Sequence, residues 1–445
     1  MELVLKMKKS KKKTANKKTS EEGLRAPRGM RDILPSEQVW WDRISKEVSE
    51  LAEFYNFSRI ETPILEYASL FERGVGEETD MVGKEMYFVR SKGEDRLVLR
   101  PENTAPIARA YLEHHLGRTA SLQKFFYQGP MFRHERPQAG RFRQFTQIGF
   151  EVIGGSNDPI YDAEIILLSD RLLKNLKIKN IVLKINSIGC RVCRPTYKRQ
   201  LQNYYKNKEK KLCPDCQRRL KTNPLRLLDC KHESCQQFKA DAPNFLDKLC
   251  SGCSSHFKSV LEYLEELKMS YSIDNTLVRG LDYYNRTVFE FFVEGPGSEF
   301  GALPAGGRYD YLFEMLGGRM TPAVGAAVGI ERLISVMKAQ GLEPPLKIHK
   351  KVFLIHVGEL AKKKSLNLLE QLRSAGISVA EALGRDSLKT QLRLADREDA
   401  RLALIFGQKE IFEQSIIIRD LGTHLQESVP MDTIVEEVRK RLKTK

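Results

Sequence analysis

The segment from Phe126 to Glu151 contains residue types whose spacing suits a site for a charged ligand. Its sequence, FYQGPMFRHERPQAGRFRQFTQIGFE, has two aromatic-rich strand patterns on either side of an arginine-rich loop that begins at Arg133. In the second strand, a period of two places Gln147, Gly149 and Glu151 on one face and apolar residues on the other. Because Gly149 has no side chain, we predict an open space between an amide and a carboxylate. The alternative is an ordinary amphipathic hairpin, whose solvent face has the same composition.

All eight cysteines lie within one short stretch of the chain. Three C-x2-C pairs, and one wider pair that encloses His232, have the spacing of ligands for tetrahedral zinc, and two four-ligand sites would use them all. These residues are Cys190, Cys193, Cys213, Cys216, Cys230, Cys235, Cys250 and Cys253. We therefore predict structural zinc, with disulfides or buried thiols without metal as the alternatives. The sequence does not show which pairs share a site.

Length, hydropathy and charge limit the kinds of protein that this chain can be. A chain of 445 residues is long enough for roughly two or three domains. Mean hydropathy is -0.42, and the chain lacks an apolar run of about 18 residues, so we expect no membrane span and a cytoplasmic location. The net charge of +16 comes from residues 1–20, with eight Lys and one Glu, and from residues 186–255, with fifteen Lys or Arg and six Asp or Glu. Charge of this kind suits RNA.

The Lys-rich tail at residues 1–22 is predicted to be disordered. It is either a solubilising extension or an arm that contacts RNA. A targeting peptide is disfavoured because the tail has no apolar core and takes its charge from Lys.

Hydrophobic periodicity predicts the elements that hold the ligand-binding residues. Apolar residues from Trp40 to Tyr55 recur at helical spacing after Pro35, and a strand at 57–65 is interrupted by Pro63, which favours a sheet edge. Further strands are predicted at 96–100, 124–133, 142–153, 181–186 and 284–293. Loops, hairpins and helices join them, which indicates an α+β fold with a largely antiparallel sheet and flanking helices.

A second, smaller domain is predicted after a linker at Gly341 to Pro345. Strands near 352–357, 377–380 and 401–406 alternate with helical patterns that end near residues 374 and 398. This alternation indicates an α/β domain with a partly parallel sheet at residues 350–445.

Five segments, in chain order, resemble motifs of class II aminoacyl-tRNA synthetases in their histidyl form, from about residue 25 to the C-terminus. They are APRGMRDILP (26–35) at the family's opening, LRPENTAPIARA (99–110) as its amino-acid-binding loop, FRHERPQAGRFRQF with Gln147 and Glu151 as motif 2, LVRGLDYYNRTVFE (277–290) as the histidyl-specific segment, and AGGRYD with TPAVGAAVGIERL (321–333) as motif 3. Five collinear matches are far more specific than one.

The resemblance implies domains, a reaction and partners. It implies a catalytic domain at 23–340, interrupted at 186–276 by the basic, cysteine-rich insertion, and an anticodon-binding domain at 350–445. The implied reaction is the ATP-dependent ligation of L-histidine to its cognate tRNA through a histidyl-adenylate, with Mg²⁺ on the ATP. The helix and strand near the start resemble motif 1, so a homodimer is implied, and packing within one chain is the alternative.

The resemblance also implies how the adenylate forms. The attacking histidine carboxylate is already ionised, since the pKa of an α-carboxyl group is roughly 3.5, so catalysis depends on alignment and on positive charge around the phosphate. By motif, Arg133 holds the α-phosphate and the histidine carboxylate, Arg279 lies opposite, and Arg332 reaches the γ-phosphate. Glu135 and Gly329 complete the implied ATP site. The alternatives are surface salt bridges for the arginines, and close backbone packing for the small residues around Gly329.

Histidine recognition is implied by the same matches. The implied contacts are Glu102, Thr104, Arg133, Gln147, Glu151, Arg279, Tyr283 and Tyr284. Acidic and neutral acceptors suit the α-amino group, and an acceptor with a donor suits the imidazole ring. The tyrosines have an alternative role as an aromatic core pair. Asn103 stands where the family commonly has Gly, which puts the backbone of the amino-acid-binding loop in doubt.

Contacts with tRNA are implied for two further residues. Arg136 and Gln138, in the motif 2 loop, match positions that meet the acceptor end of the tRNA. The C-terminal domain would read the unstacked bases of the anticodon.

Two other functions remain open at this point. One is a synthetase-like regulatory subunit of histidine biosynthesis, a class that typically loses the anticodon domain and the arginines that this chain keeps. The other is an RNA-binding module centred on the basic insertion, which would not need the three arginines together.

Overall fold

The computed structural model describes residues 24–77, 79–90, 92–137, 139–343 and 351–443. These residues belong to two compact units, one up to residue 344 and one from residue 345. The Lys-rich tail predicted at 1–22, Gln138 and the end of the predicted linker lie outside the described residues. No helix in the described ranges is long and apolar enough to cross a membrane.

The first unit combines helices with two sheets. In chain order its elements are α1 (Pro35–Phe54), β1 (Ser58–Arg59), β2 (Leu65–Tyr67), α2 (Ala68–Phe71), β3 (Tyr87–Val89), β4 (Leu97–Leu99), α3 (Thr104–Glu113), β5 (Leu122–Phe132), β6 (Gln144–Gly154), α4 (Ile160–Asn175), β7 (Ile181–Ser187), α5 (Arg194–Lys206), α6 (Pro214–Thr222), α7 (Glu233–Gln236), α8 (Ser251–Glu266), β8 (Ser272–Ile273), β9 (Asn285–Val293), β10 (Ala305–Arg308), α9 (Leu312–Met315), β11 (Ala323–Gly329) and α10 (Ile330–Ala339). Two π-helical turns, Glu72–Gly76 and Met81–Glu85, follow α2.

The main sheet has the strand order β1-β5-β6-β11-β10-β9-β7-β8. Its inner pairs are antiparallel, and only the short edge strands β1 and β8 pair in parallel among the described strands. This confirms the predicted α+β fold with a largely antiparallel sheet. The strand predicted at 57–65 is wrong in extent, because the chain around Pro63 leaves the sheet and resumes as β2 in a second sheet of order β2-β4-β3. β1 lies at an edge, as expected for a strand next to proline.

Helix α1 covers one face of the main sheet. It begins at Pro35, whose missing N–H costs nothing in the first turn of a helix. Its buried stripe includes Trp40, Ile44 and Val48, and it shares a core with Ile148 and other apolar residues of β6. Packing within one chain therefore covers this stripe.

The cysteine-rich region between β7 and β9 is helical. Helices α5 to α8 occupy it, and β8 is the strand that returns the chain to the main sheet. Apolar residues of these helices belong to the same core cluster as Val75, Ala105 and Tyr283. The region is therefore continuous with the part of the first unit that holds the predicted histidine-binding loop.

The second unit contains a five-stranded mixed sheet. Its elements are β12 (Lys351–His356), α11 (Glu359–Ser374), β13 (Val379–Glu381), α12 (Leu388–Arg397), β14 (Ala400–Phe406), α13 (Gln408–Phe412), β15 (Ser415–Asp420), β16 (Gln426–Pro430) and α14 (Ile434–Lys443). The order is β13-β12-β14-β15-β16, with the first three strands parallel and the last two antiparallel. The sequence predicted this partly parallel α/β domain.

A buried ion-pair network anchors β10 to the helix that packs on the sheet. Arg308 is 1% exposed and donates from Nε to Asp162 of α4 at 3.0 Å. It also donates from Nη1 to Asp310 at 3.2 Å and to Asn157 at 3.1 Å. The segment between β10 and α9, which follows Arg308 directly, is thus fixed against the sheet.

Replacing Arg308 with Met is expected to destabilise the first unit by about 3 to 5 kcal/mol, because Asp162 would remain buried without a compensating charge. Urea unfolding followed by tryptophan fluorescence measures this change, since both tryptophans lie in α1. Lys46→Ala is the control: its pair with Glu50 is exposed, so the loss should stay within about 0.5 kcal/mol. Equal losses in the two variants would contradict the anchoring role.

Candidate active site

The floor of the site is the face of β6 that carries Glu151. Alternate residues such as Ile148 and Phe150 point into the apolar core, as the period of two predicted. Glu151 lies opposite Gly325 of β11 and is 1% exposed. A Cβ atom on Gly325 would lie 1.7 Å from Glu151 Oε2. Only glycine at residue 325 therefore lets this carboxyl group lie across β11.

The predicted open space at Gly149 is filled in the structure. A Cβ atom on Gly149 would lie 2.3 Å from the ring of Tyr127, a buried residue of β5. The Tyr127 hydroxyl donates a hydrogen bond of 3.2 Å to Gln147 Oε1. The interpretation of Gly149 as space for a ligand was wrong, because the glycine admits an aromatic ring that orients Gln147.

Two hydroxyl groups hold the Glu151 carboxyl group. Thr104 Oγ1 donates to Oε1 at 2.8 Å, and the Tyr309 hydroxyl donates to Oε2 at 2.5 Å. Burial raises the pKa of Glu151 to about 8; the two hydrogen bonds lower it, and the nearby Glu102 raises it. The group therefore holds a proton at neutral pH without a ligand. This is an unusual state for a carboxyl group and suits a partner that can exchange a proton with it.

Glu102 lies at the start of α3. Its carboxylate accepts the backbone N–H groups of Thr104 at 2.8 Å and of Ala105 at 3.0 Å, which satisfies amides of the first helical turn. Burial raises the pKa of Glu102, and the two amides lower it. The hydroxyl of Tyr283 lies 3.4 Å from Oε2. Because each carboxylate oxygen has two lone pairs, Glu102 retains acceptor capacity for a ligand.

Asn103 does not distort this loop. Its φ of -122° lies in a region open to any residue, so no glycine is required. Its Oδ1 accepts hydrogen bonds from Thr62 Oγ1 at 2.7 Å and from Arg100 at 3.2 Å. The departure from the family pattern adds an anchor to the loop.

Three tyrosines line the wall between Glu102 and Glu151. The rings of Tyr283 and Tyr284 are 4.6 Å apart, and Tyr309 lies 5.7 Å from the first. All three are at most 6% exposed. The predicted pair therefore packs as an aromatic cluster, and the Tyr283 hydroxyl also reaches the polar site.

The three predicted arginines each use only part of their donor groups in the protein. Arg133 donates from Nε to the Pro101 carbonyl at 2.8 Å, and Arg279 pairs with Glu290. Arg332 donates to the carbonyl of Ala302. The Nε atoms of Arg279 and Arg332 are buried and have no hydrogen-bond acceptor among the described residues.

The arginines act on one another electrostatically. The net pKa of Arg332 is lowered to about 10: burial is the largest cause, the charges of Arg141 and Arg133 also lower it, and those of Glu135 and Glu290 raise it. Glu290 also pairs with Arg279. Arg332 is thus repelled by Arg133 and attracted by Glu290, the partner of Arg279, so the three arginines belong to one charged neighbourhood.

An aromatic ring lies beside these charges. The ring of Phe145, half-buried on β6, lies 5.1 Å from the Arg133 guanidinium. A Cβ atom on Gly329, at the end of β11, would meet only Phe145 within 4 Å. Glu135 pairs with Arg141 at 3.4 Å.

The predicted tRNA-contacting residues have different outcomes. Arg136 is exposed in the loop between β5 and β6, and Gln138 lies outside the described residues.

The cysteines form two groups away from this floor. One contains Cys190, Cys193, Cys250 and Cys253, and the other contains Cys213, Cys216, Cys230 and Cys235. Within each group the sulfur atoms lie within 4.8 Å of one another. The structure thus supplies the grouping that the sequence left open.

Comparison with known proteins decides the family. The family model described as histidyl-tRNA synthetase matches residues 29–333, and the model of an anticodon-binding domain matches residues 351–441. The chain belongs to the histidyl-tRNA synthetase family. It is therefore a ligase of the class II aminoacyl-tRNA synthetases, which joins L-histidine to tRNA at the expense of ATP through a histidyl-adenylate.

Curated relatives and a solved structure agree with this assignment. The histidine–tRNA ligases of Pelotomaculum thermopropionicum and Halothermothrix orenii are each 44% identical over 94% of this chain, and the matches cover 97% and 99% of those proteins. The apo histidyl-tRNA synthetase of S. aureus is 33% identical, with a TM-score of 0.78 over 93% of this chain and 99% of that one. The regulatory-subunit and RNA-binding-module alternatives are superseded by the ligase assignment.

Sequence reasoning missed three side chains that shape the site. Tyr309 holds Glu151, Tyr127 orients Gln147, and Phe145 lies under Arg133. The sequence carried a signal for Tyr309, which lies inside the AGGRYD segment already matched to motif 3. The role of Tyr127 depended on the strand register opposite Gly149, which periodicity does not give.

We expect Glu151→Gln to change the pH dependence of stability. The unfolded chain releases this proton near pH 4.5, while the folded chain keeps it until about pH 8. Rising pH between these values therefore favours unfolding of the parent chain. The variant lacks this titration, so its unfolding free energy relative to the parent should rise by at most about 1.4 kcal/mol per pH unit in that window and level off above it.

Urea unfolding at several pH values between 5 and 9 measures this difference. Glu50→Gln, at an exposed residue of α1, is the control and should differ from the parent by the same amount at every pH. A Glu151→Gln difference that is flat or falls with pH would contradict a raised pKa.

Proposed function

We propose that this site carries out both steps of histidine ligation, with the residue roles implied by the sequence. The observation that carries the proposal is the link between the arginines and the buried Glu151. Arg279 lies over the ring of Tyr284 at 5.4 Å, and Tyr284 packs on Tyr309, the residue that donates to Glu151. Arg332 is repelled by Arg133 and attracted by Glu290, the partner of Arg279. Fixed positive charge next to a polar pocket is what the attack of a carboxylate on a phosphate requires.

The arginines stabilise the pentavalent phosphate of the first step. Arg133 holds the α-phosphate and the histidine carboxylate, and Arg279 contacts the same groups from the opposite side. Arg332 binds the γ-phosphate, together with Glu135 as a further ATP contact. Support comes from the residue type, because a guanidinium group can bind a phosphate through two parallel donors, which an ammonium group cannot do.

Histidine is recognised by polar groups that are already in place. Glu102, Thr104 and Gln147 bind the α-amino group, and Glu151 binds the imidazole together with the tyrosines. Since Glu151 has a pKa of about 8, it and the imidazole share one proton. An apolar ring of the same size would leave the proton of Glu151 without an acceptor, and sites that hydrogen-bond their substrate reject isosteres lacking the partner by roughly 10⁴ to 10⁵.

The adenine ring stacks on Phe145. The half-buried Phe145 ring offers a stacking surface, and the missing side chain of Gly329 leaves room beside it. This role accounts for the small residues that precede α10.

The synthetase family uses Mg²⁺ with ATP. The carboxylate of Glu290 suits this ion because its side chain is partly exposed, at 17%, beside the arginines. The bound ion supplies charge neutralisation at the phosphates. Zinc in the cysteine-rich insertion has a structural role.

The domains and partners follow the sequence predictions. Residues 23–340 form the catalytic domain with the insertion at 186–276, and residues 350–445 bind the anticodon. Arg136 and Gln138 meet the acceptor end of the tRNA. The enzyme acts in the cytoplasm, where it meets its tRNA.

The chain forms a homodimer through the edge of the small sheet. Support comes from three exposed apolar side chains in and next to β2: Ile64 and Leu65 at 43% and Tyr67 at 56%. Neighbouring apolar side chains with this much exposure mark an interaction surface.

Histidine-dependent exchange of pyrophosphate into ATP tests the proposed roles. We expect Arg279→Ala to lower the exchange rate by about 10² to 10³, as removal of one donor to a transition-state anion does elsewhere. Arg279→Lys should recover only part of this loss, because it restores the charge without the planar fork.

Arg59→Ala is the matched control for the exchange assay. Arg59 pairs with Glu61 at an exposed position on β1, so the parent rate should be kept. Exchange that is stimulated by another amino acid, or that survives in Arg279→Ala at the parent rate, would overturn the proposed roles.

A further inference from the structure

The two cysteine groups have the dimensions of single-ion sites. The Cys190 sulfur lies 3.7 Å from that of Cys193 and 3.9 Å from that of Cys250, and the Cys213 and Cys230 sulfurs lie 3.8 Å apart. Four thiolates around one zinc ion with Zn–S bonds of about 2.3 Å have tetrahedral edges of about 3.8 Å. The observed separations match this value, and all eight cysteines are free of disulfide bonds.

Backbone amides point at the sulfur atoms. Cys250 N donates to Cys193 Sγ at 3.1 Å, and Cys213 N donates to Cys235 Sγ at 3.3 Å. His232 N donates in the same way to Cys230 Sγ at 3.4 Å. Hydrogen bonds of this kind stabilise the thiolate form that binds metal. Such donors are typical of a preformed ligand shell.

His232 is not part of the second group. Its Nδ1 accepts the backbone N–H of Ser234 at 3.3 Å, so that His232 caps α7, and it lies 2.9 Å from the Ser234 hydroxyl. Four cysteines therefore complete each group without a histidine, and no ligand position is left open for chemistry.

We propose that the chain binds two zinc ions, one in each tetracysteine group, and that the second ion positions the segment Glu72–Glu85 beside the histidine site. The first part of this proposal extends the structural zinc of the proposed function by stating the number of ions and the four ligands of each. The positioning role rests on the proposed site, and the metal content does not.

The first site closes the insertion. It joins Cys190 and Cys193, directly after β7, to Cys250 and Cys253 at the start of α8. A single ion thereby ties together the two ends of the helical region. Arg194, next in sequence to Cys193, donates to the backbone carbonyl of Tyr284 in the aromatic cluster.

The second site fixes helix α6. Cys213 precedes the helix and Cys216 lies in its first turn. The same helix presents Arg219, which pairs with Asp80 of the segment Glu72–Glu85. Directly after the helix, Asn223 donates to Asp282 at 2.7 Å. Metal binding at residues 213 and 216 thus orients two anchors that reach the catalytic part of the unit.

The anchored segment contacts the catalytic residues directly. The carbonyl of Glu85 accepts the backbone N–H of His134, the neighbour of Arg133, at 2.7 Å. The carbonyl of Val75 accepts the N–H of Asp282, the neighbour of Tyr283, at 3.0 Å. A shift of α6 would therefore displace residues on both sides of the proposed histidine pocket.

Metal analysis of the full chain, purified without chelator or affinity tag, tests the first part. We expect elemental mass spectrometry to give two zinc ions per chain. The zinc X-ray absorption spectrum should indicate four sulfur ligands at about 2.3 Å around each ion. These readouts need no enzyme activity. One zinc ion per chain or fewer, iron in its place, or nitrogen and oxygen ligands would overturn the assignment.

Paired substitutions test the grouping. Cys193→Ser with Cys253→Ser, and separately Cys216→Ser with Cys230→Ser, should each leave one zinc ion. His232→Ala is the control and should keep two. Loss of both ions from either double variant, or loss of one from the control, would contradict two separate tetracysteine sites. If a double variant does not fold, stepwise release of zinc from the parent chain by a mercurial reagent replaces it, with two ions expected per eight thiols.

Hydrogen exchange tests the positioning role. In the Cys216→Ser and Cys230→Ser variant, amides in Glu72–Glu85 should exchange about tenfold faster, as expected for loss of a charged hydrogen bond to Asp80. The second unit is the internal control and should be unchanged. Arg219→Ala should reproduce the faster exchange with both zinc ions retained and should raise the KM for histidine more than it lowers kcat. Unchanged exchange in both variants would overturn the role.

Discussion

The proposed histidine site depends on the burial of one carboxyl group, Glu151. Removing a carboxylate from water is expensive, so the group either finds partners or keeps its proton. Here it does both, because Thr104 and Tyr309 donate to its two oxygens while burial raises its pKa to about 8. Gly325 is required for the same reason, since any side chain there would displace the carboxyl group. A carboxyl group that holds its proton in this way discriminates in favour of a ligand ring that has both a hydrogen-bond donor and an acceptor.

The arginines present the opposite electrostatic problem, because the buried groups there are positively charged. Arg332 is buried, which lowers its pKa, and Arg141 and Arg133 repel it while Glu135 and Glu290 attract it. The free protein carries this electrostatic cost, and a bound triphosphate would relieve it. Such preorganised charge acts without reorganisation at the moment of reaction, which is why it contributes strongly to catalysis. The anchors of Arg133, a backbone carbonyl and the Phe145 ring, fix its direction without neutralising it.

The sequence predicted the architecture better than the detail of the site. Strand and helix patterns gave the antiparallel sheet and the α/β second unit, because hydrophobic periodicity reflects burial on one face of each element. Periodicity also placed Glu151 on the ligand face. It could not show that the Tyr127 ring fills the space at Gly149, because the two residues meet only through the pairing of β5 and β6. The grouping of the cysteines was undetermined for the same reason: it depends on helices α5 to α8 folding back on one another.

A crystal structure with a non-hydrolysable histidyl-adenylate would show whether Glu151 and the arginines bind the two halves of this ligand. We expect an imidazole nitrogen within hydrogen-bond distance of Glu151, with Tyr309 still donating to the other oxygen. We also expect the guanidinium groups of Arg133 and Arg279 to contact the α-phosphate from two sides. An imidazole bound away from Glu151, or an Arg279 that still pairs only with Glu290 while the phosphate lies elsewhere, would refute the proposed roles.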